Sequence, residues 1–188
     1  MDSSPHTLVT TRAPGAAPGF GATSGAGTGG SLTRLAAFAV AAIGAATLAG
    51  AWFFQLVLDI RPCPLCLEQR YAYYAAVPLA LVAALGADRG RWARGLLALV
   101  ALAMLANAGL GAYHAGVEWG FWPGPTECTG GAADLGSAGN LLDRLATVKV
   151  IRCDEVQWRF LGLSLAGYNV LISLAMAALA AIGAARRD

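Results

Sequence analysis

LTRLAAFAVAAIGAATLAGAWFFQLVL, residues 32–58, carries one charge, Arg34, in 27 residues. A helix crosses a bilayer core with about 20 consecutive apolar residues, so this run is long enough to span one. Three further stretches, about 71–87, 95–113 and 160–185, repeat the pattern. Pro78 interrupts the second. In lipid its missing backbone donor must be compensated by neighbouring helices or water, which predicts a kink and not a break. Hydrophobic residues make up 57% of the 188-residue chain and charged residues 13%, against about 45–50% and about 25% in soluble domains. The expected fold class is an all-α membrane protein, a four-helix transmembrane bundle. Small residues such as Gly44, Gly50, Gly109, Gly111 and Gly167 are placed to let its helices approach closely.

The flanks of these spans give the orientation. The link DRGRWAR puts Arg89, Arg91 and Arg94 between the second and third spans, and the chain closes on Arg186 and Arg187. Basic residues concentrate on the cytoplasmic side, so this link and both termini are expected there, with Arg12 and Arg34. Residues 1–31, rich in Gly, Ala, Ser, Thr and Pro, lack the apolar surface to offset ordering and are expected to be a disordered cytoplasmic tail. The four-helix transmembrane domain then covers 32–185 and a short cytoplasmic end 186–188. Ala49-Gly50-Ala51 resembles a signal-peptide cleavage site, but the apolar run continues to Leu58. Net charge is only +2, with one lysine and no basic block, so nucleic acid is not an expected partner.

Two outward loops remain, and they hold all four cysteines: Cys63 and Cys66 in the first, Cys128 and Cys153 in the second. An exported face permits disulfides. For CPLC, residues 63–66, zinc is disfavoured because the other cysteines are distant in sequence and the histidines are His6 and His114. A structural staple is a second possibility. A redox dithiol is favoured by local physics: with a helix starting near Leu67, both thiols sit at its N-terminal end, where unpaired amides favour an anion. Arg70, four residues after Cys66, is placed to reach back over that sulfur. An ordinary thiol is only about 3% ionised at pH 7, so such help matters. Arg70 is equally suited to anchoring at phospholipid headgroups.

CPLCLEQR between the first two spans, a cysteine pair in the second outer loop, and CDEVQWRFLGL, residues 153–163, leading into the last helix together resemble the disulfide bond formation protein B (DsbB) family over about 32–185. The resemblance implies an enzyme of the bacterial inner membrane that reoxidises a soluble periplasmic dithiol protein of the DsbA type and passes the electrons to a membrane quinone, ubiquinone or menaquinone. It also implies the order of events. The partner attacks Cys128, the released Cys153 attacks Cys63, and Cys66 is freed as a thiolate beside the quinone, with Arg70 stabilising its charge. The DsbA, DsbB and quinone relay is known to keep the bacterial periplasm oxidising.

In GAYHAGVEWGFW, residues 111–122, His114 and Glu118 stand one helical turn apart. The resemblance makes them quinone-pocket candidates, while a boundary role beside the aromatic belt of Trp119, Phe121 and Trp122 is the plainer reading. Asn107 is expected to bond to another helix. Leu141, Leu142, Leu145, Val148 and Ile151 recur at helical spacing, giving a short amphipathic helix that lies in the interface or packs on the second loop. Two other classes share this fold. One is a quinone reductase resembling the vitamin K epoxide reductase family, whose CxxC belongs after the loop cysteines and not before them. The other is a non-enzymatic membrane protein with structural disulfides.

Overall fold

The computed structural model describes residues 28–125 and 152–185. Four helices dominate: α1 (Thr28–Leu56), α2 (Pro64–Leu85), α3 (Arg91–Glu118) and α4 (Leu165–Ala185), with a 3-10 turn at Ala87–Arg89. Each packs on two neighbours in a ring, α1 on α2, α2 on α3, α3 on α4 and α4 on α1. Their shared core is dominated by alanine, with Leu97, Val100, Met104, Val40 and Met176 filling the gaps. Small side chains suit a membrane bundle, where close backbone approach and not water exclusion drives association. A Cβ added at Gly44 would come within 2.8 Å of Val77, and one at Gly183 within 2.8 Å of Leu97. Gly50 and Gly109, expected in the same role, face open space.

Three of the helices, α1, α3 and α4, are long and apolar enough to cross a membrane. α2 is 22 residues long but is made less apolar by Glu68, Gln69, Arg70 and its tyrosines, two of which, Gln69 and Tyr73, are buried inside the bundle. The element continues unbroken through Pro78. It also begins earlier than the sequence pattern suggests. Pro64 takes the first helical position, where its missing N–H costs nothing, and Cys63 caps the helix by accepting the Cys66 amide at 3.3 Å.

The expected start of the last span at residue 160 is corrected. Arg159–Phe160 and Leu163–Ser164 pair as a two-residue antiparallel hairpin, turned by Leu161 (φ 48°) and Gly162 (φ 83°), so α4 starts at Leu165. Two consecutive positive φ values are what a tight hairpin turn requires. At the other end of the bundle, Arg34 bridges Asp88 at 2.7 Å and Thr33 donates to the Gly183 carbonyl at 3.1 Å. The start of α1, the arginine-bearing link and the end of α4 thus share one end, and Cys63 and Cys153 share the other. The expected disordered tail, 1–31, is corrected at its end, where residues 28–31 already belong to α1; residues 1–27, Cys128, the amphipathic stretch and residues 186–188 lie outside the described residues.

Candidate active site

At the cysteine end the fold brings together residues that are far apart in sequence. Cys63 is 2% exposed and Cys153 1%, and both belong to one buried cluster with Leu65 and Val117, against which Cys66 packs. The Cys63 thiol donates to the Cys66 sulfur at 2.9 Å, a separation that a small side-chain rotation closes to the roughly 2.05 Å of a disulfide. That donated bond pushes the Cys63 thiol well above its ordinary pKa, with burial adding to the effect and His114 opposing it. Of the two sulfurs, Cys63 is therefore the one that holds its proton more firmly.

Cys66 also lines a cavity of about 370 Å³. Three helices supply its walls with the same spacing. Thr47, Gly50, Ala51 and Phe54 come from α1, Cys66, Gln69, Arg70 and Tyr73 from α2, and Leu165, Tyr168, Asn169 and Ile172 from α4. Positions i, i+3, i+4 and i+7 form one helix face, so each helix turns a single stripe toward the same space. Trp158, from the stretch after Cys153, closes the cavity and packs on Phe54 with ring centroids 5.1 Å apart. The lining is mostly apolar, with Arg70, Gln69, Tyr73 and Asn169 as its polar edge.

Arg70 lines this cavity, as a charge partner for Cys66 should, but it is held from α1. It donates to Gln55 at 2.7 Å and to the Ala51 carbonyl at 3.3 Å, and its guanidinium lies 5.7 Å from the Trp52 ring centroid. No hydrogen bond joins it to Cys66 among the described residues. The expected reach back along the helix is replaced by a clamp across to the neighbouring helix, because Gln55 and an α1 carbonyl offer full-strength acceptors and a sulfur does not.

Neither His114 nor Glu118, the expected quinone-pocket candidates, lines this cavity. His114, 2% exposed, sits behind the dithiol, with Nε2 3.6 Å from Cys63 Sγ and Nδ1 2.9 Å from Gln69 Nε2. Glu118 lies near His114 and Ser164, and one of its carboxylate oxygens is buried without a hydrogen-bond partner among the described residues. The ligand atoms of Cys63, Cys66 and His114 fall within 4.8 Å of one another. Zinc therefore cannot be set aside on the ground that no histidine is near; the case for a dithiol rests instead on Cys66 opening to the cavity. Asn107 bonds to Ser173 on α4 at 3.0 Å, as its place inside an apolar span implies. Gln69, Tyr73, Asn169, Phe54 and Trp158 were not singled out from sequence. The stripe through Cys66, Gln69, Arg70 and Tyr73 is the signal that would have found the first two.

Comparison with known proteins points to one family. The family described as "Disulfide bond formation protein DsbB" matches residues 33–183. The protein named "Disulfide bond formation protein B" in Azoarcus sp. (strain BH72) is 34% identical over 135 residues, covering 71% of this chain and 81% of its own. Its namesake in Aromatoleum aromaticum is 31% identical over 152 residues, 80% of this chain and 90% of its own. A third, from Xanthomonas oryzae pv. oryzae, is 33% identical over 151 residues, 77% and 87%. No solved structure matches significantly.

Proposed function

This chain belongs to the DsbB family of membrane disulfide bond formation proteins, and from that premise we propose that it reoxidises a periplasmic DsbA-type dithiol protein and delivers the electrons to a membrane quinone. The observation that carries the proposal is that Cys63, Cys66 and Cys153 come together in one buried cluster and that Cys66 alone of the three also forms part of the cavity wall. Exchange can then reach the pair from Cys153 and leave it through Cys66.

The partner's thiolate attacks Cys128 of a Cys128–Cys153 disulfide and releases Cys153 as a thiolate. Cys153 attacks Cys63 of a Cys63–Cys66 disulfide and releases Cys66. Each leaving sulfur is the next attacker, as thiol exchange requires. The cavity fits a quinone head: its volume lies within the roughly 300–1,000 Å³ of small-molecule sites, its walls include Phe54 and Trp158, and Arg70 and the second hydrogen of the Gln69 amide offer donors to carbonyl oxygens. A bound quinone accepts two electrons and two protons. Arg70, fixed from α1, keeps a positive charge on the wall that Cys66 shares. By the positive-inside rule, the end bearing Arg34, Arg89, Arg91 and Arg94 faces the cytoplasm, so all four helices span the inner membrane and the cysteine loops face the periplasm.

Purified protein given a reduced DsbA-type partner and a quinone should consume one quinone per dithiol oxidised; unchanged quinone absorbance would instead support structural disulfides. Cys153→Ala should accumulate a mixed disulfide between Cys128 and the partner, and its absence on non-reducing gels from folded protein would sink the relay.

A further inference from the structure

A chain of hydrogen bonds runs from the bundle interior to the dithiol. Asn107 Nδ2 on α3 donates to Ser173 Oγ at 3.0 Å, and the Ser173 and Tyr73 hydroxyls lie 3.1 Å apart. Tyr73 donates to Asn169 Oδ1 at 2.6 Å, and Asn169 Nδ2 donates to Gln69 Oε1 at 2.6 Å. Gln69 Nε2 then meets His114 Nδ1 at 2.9 Å, and His114 Nε2 faces Cys63 Sγ at 3.6 Å. Gly111 makes room for this path, since a Cβ there would come within 2.9 Å of Asn169 Nδ2.

The direction of the chain is set by Asn107 and Asn169 together. Asn107 Nδ2 donates to Ser173 Oγ, and Asn169 Oδ1 faces Tyr73 at 2.6 Å, Asn107 Nδ2 at 3.4 Å and Ser173 at 3.5 Å. With Asn107 so placed, an Asn169 turned over would set its amide nitrogen against that of Asn107, donor against donor. Asn169 Nδ2 therefore belongs on Gln69 Oε1, which leaves Gln69 Nε2, a group that only donates, against His114 Nδ1. A neutral ring nitrogen that accepts carries no hydrogen, so the imidazole proton sits on Nε2, toward Cys63.

We propose that Gln69 and Asn169 are positioning residues that hold His114 in the tautomer with its proton on Nε2, so that the ring donates to the Cys63 sulfur and cannot take its proton. The hydrogen aimed at Cys63 stabilises that sulfur whenever exchange leaves it as a thiolate, because a donor to an ionised acceptor makes a stronger bond. The opposite tautomer would present a lone pair to the same sulfur and repel it. Because Gln69 and Asn169 also line the cavity, the groups that orient the imidazole are shared between cavity and dithiol. Only the kinetic consequence rests on the redox reading above; the tautomer does not.

The test is ¹⁵N NMR of the full chain, histidine-labelled in detergent micelles, with the chain's one other histidine removed as His6→Ala. The expected spectrum shows a protonated Nε2 and a bare Nδ1. Gln69→Glu keeps the side chain's length and still accepts from Asn169, but it offers Nδ1 an acceptor, so Nδ1 should become protonated. Should that variant fail to fold, Asn169→Ala frees the Gln69 amide to turn and should yield a mixture of tautomers. A protonated Nδ1 in the parent, or an unchanged spectrum in a folded variant, would overturn the assignment. In parallel, exchange at Cys63 should slow a few-fold to about tenfold in Gln69→Glu, the effect of one lost hydrogen bond. A moved proton with an unchanged rate would refute the link to exchange.

Discussion

Gly50 gives the sharpest test of the cavity. It lines the cavity from α1, and a Cβ added there meets nothing within 4 Å. Gly50→Leu therefore adds bulk at the cavity wall from a Cβ that touches no protein atom. Removing a leucine side chain from a core can open a void on the order of 150 Å³. Adding one to a cavity of about 370 Å³ leaves roughly 220 Å³, below the roughly 300 Å³ at which small-molecule sites begin. The helix itself gains, because glycine in a helix interior is disfavoured by about 1 kcal/mol relative to alanine. Expected, then, is a protein at least as heat-stable as the parent, still able to form the mixed disulfide with its partner, whose KM for quinone rises about tenfold or more, the loss of at least 1.4 kcal/mol of binding. Gly109→Leu on α3 is the control, since Gly109 also faces open space but does not line the cavity; it should leave quinone reduction unchanged. Steady-state quinone reduction followed by absorbance, beside thermal unfolding of both variants, decides the matter. A KM within about twofold of the parent in a folded Gly50→Leu would mean that the electron acceptor binds elsewhere.

Arg70→Ala removes a charged donor from Gln55 and the Ala51 carbonyl, together with the contact on Trp52. Quinone reduction should fall by at least tenfold, since hydrogen bonds to charged groups contribute about 1.5–3 kcal/mol, while protein yield falls less. Equal loss of both would reduce Arg70 to an anchor. Gly183→Val forces a side chain into Leu97 and Ala36 at under 3 Å where α4 meets α1 and α3. Such overpacking costs about 1–3 kcal/mol, to be read as a lower melting temperature in detergent, with the KM for quinone unchanged in the protein that stays folded.

Much of this protein is legible one residue at a time. Apolar runs longer than a bilayer is thick mark helices, because lipid leaves the backbone no other way to satisfy its donors and acceptors. Arginines at the α2–α3 link mark one end, and Arg34 does meet Asp88 there. The early start of α2 escaped notice because Pro64 interrupts an apparent loop motif, although proline at a first helical position is itself a start signal. The hairpin before α4 escaped because its strands are only two residues each, too short to show alternation, and only backbone φ values at Leu161 and Gly162 reveal it. Asn107 was placed correctly because a polar side chain in an apolar span has few other ways to be satisfied.

Sequence alone supplied the chemical parts: a CxxC before an apolar run, two further cysteines distant in sequence, and a cation one turn after Cys66. These depend on local spacing, which the chain carries wherever it folds. Which side chains meet was decided only by the tertiary structure, because meeting depends on how helices rotate about their axes and which loops return to the same end. That rotation brought Cys153 into one cluster with Cys63, turned matching stripes of α1, α2 and α4 into one cavity, drew Arg70 toward Gln55, and set His114 beside Cys63. A helical stripe specifies a face, and only packing specifies what that face meets.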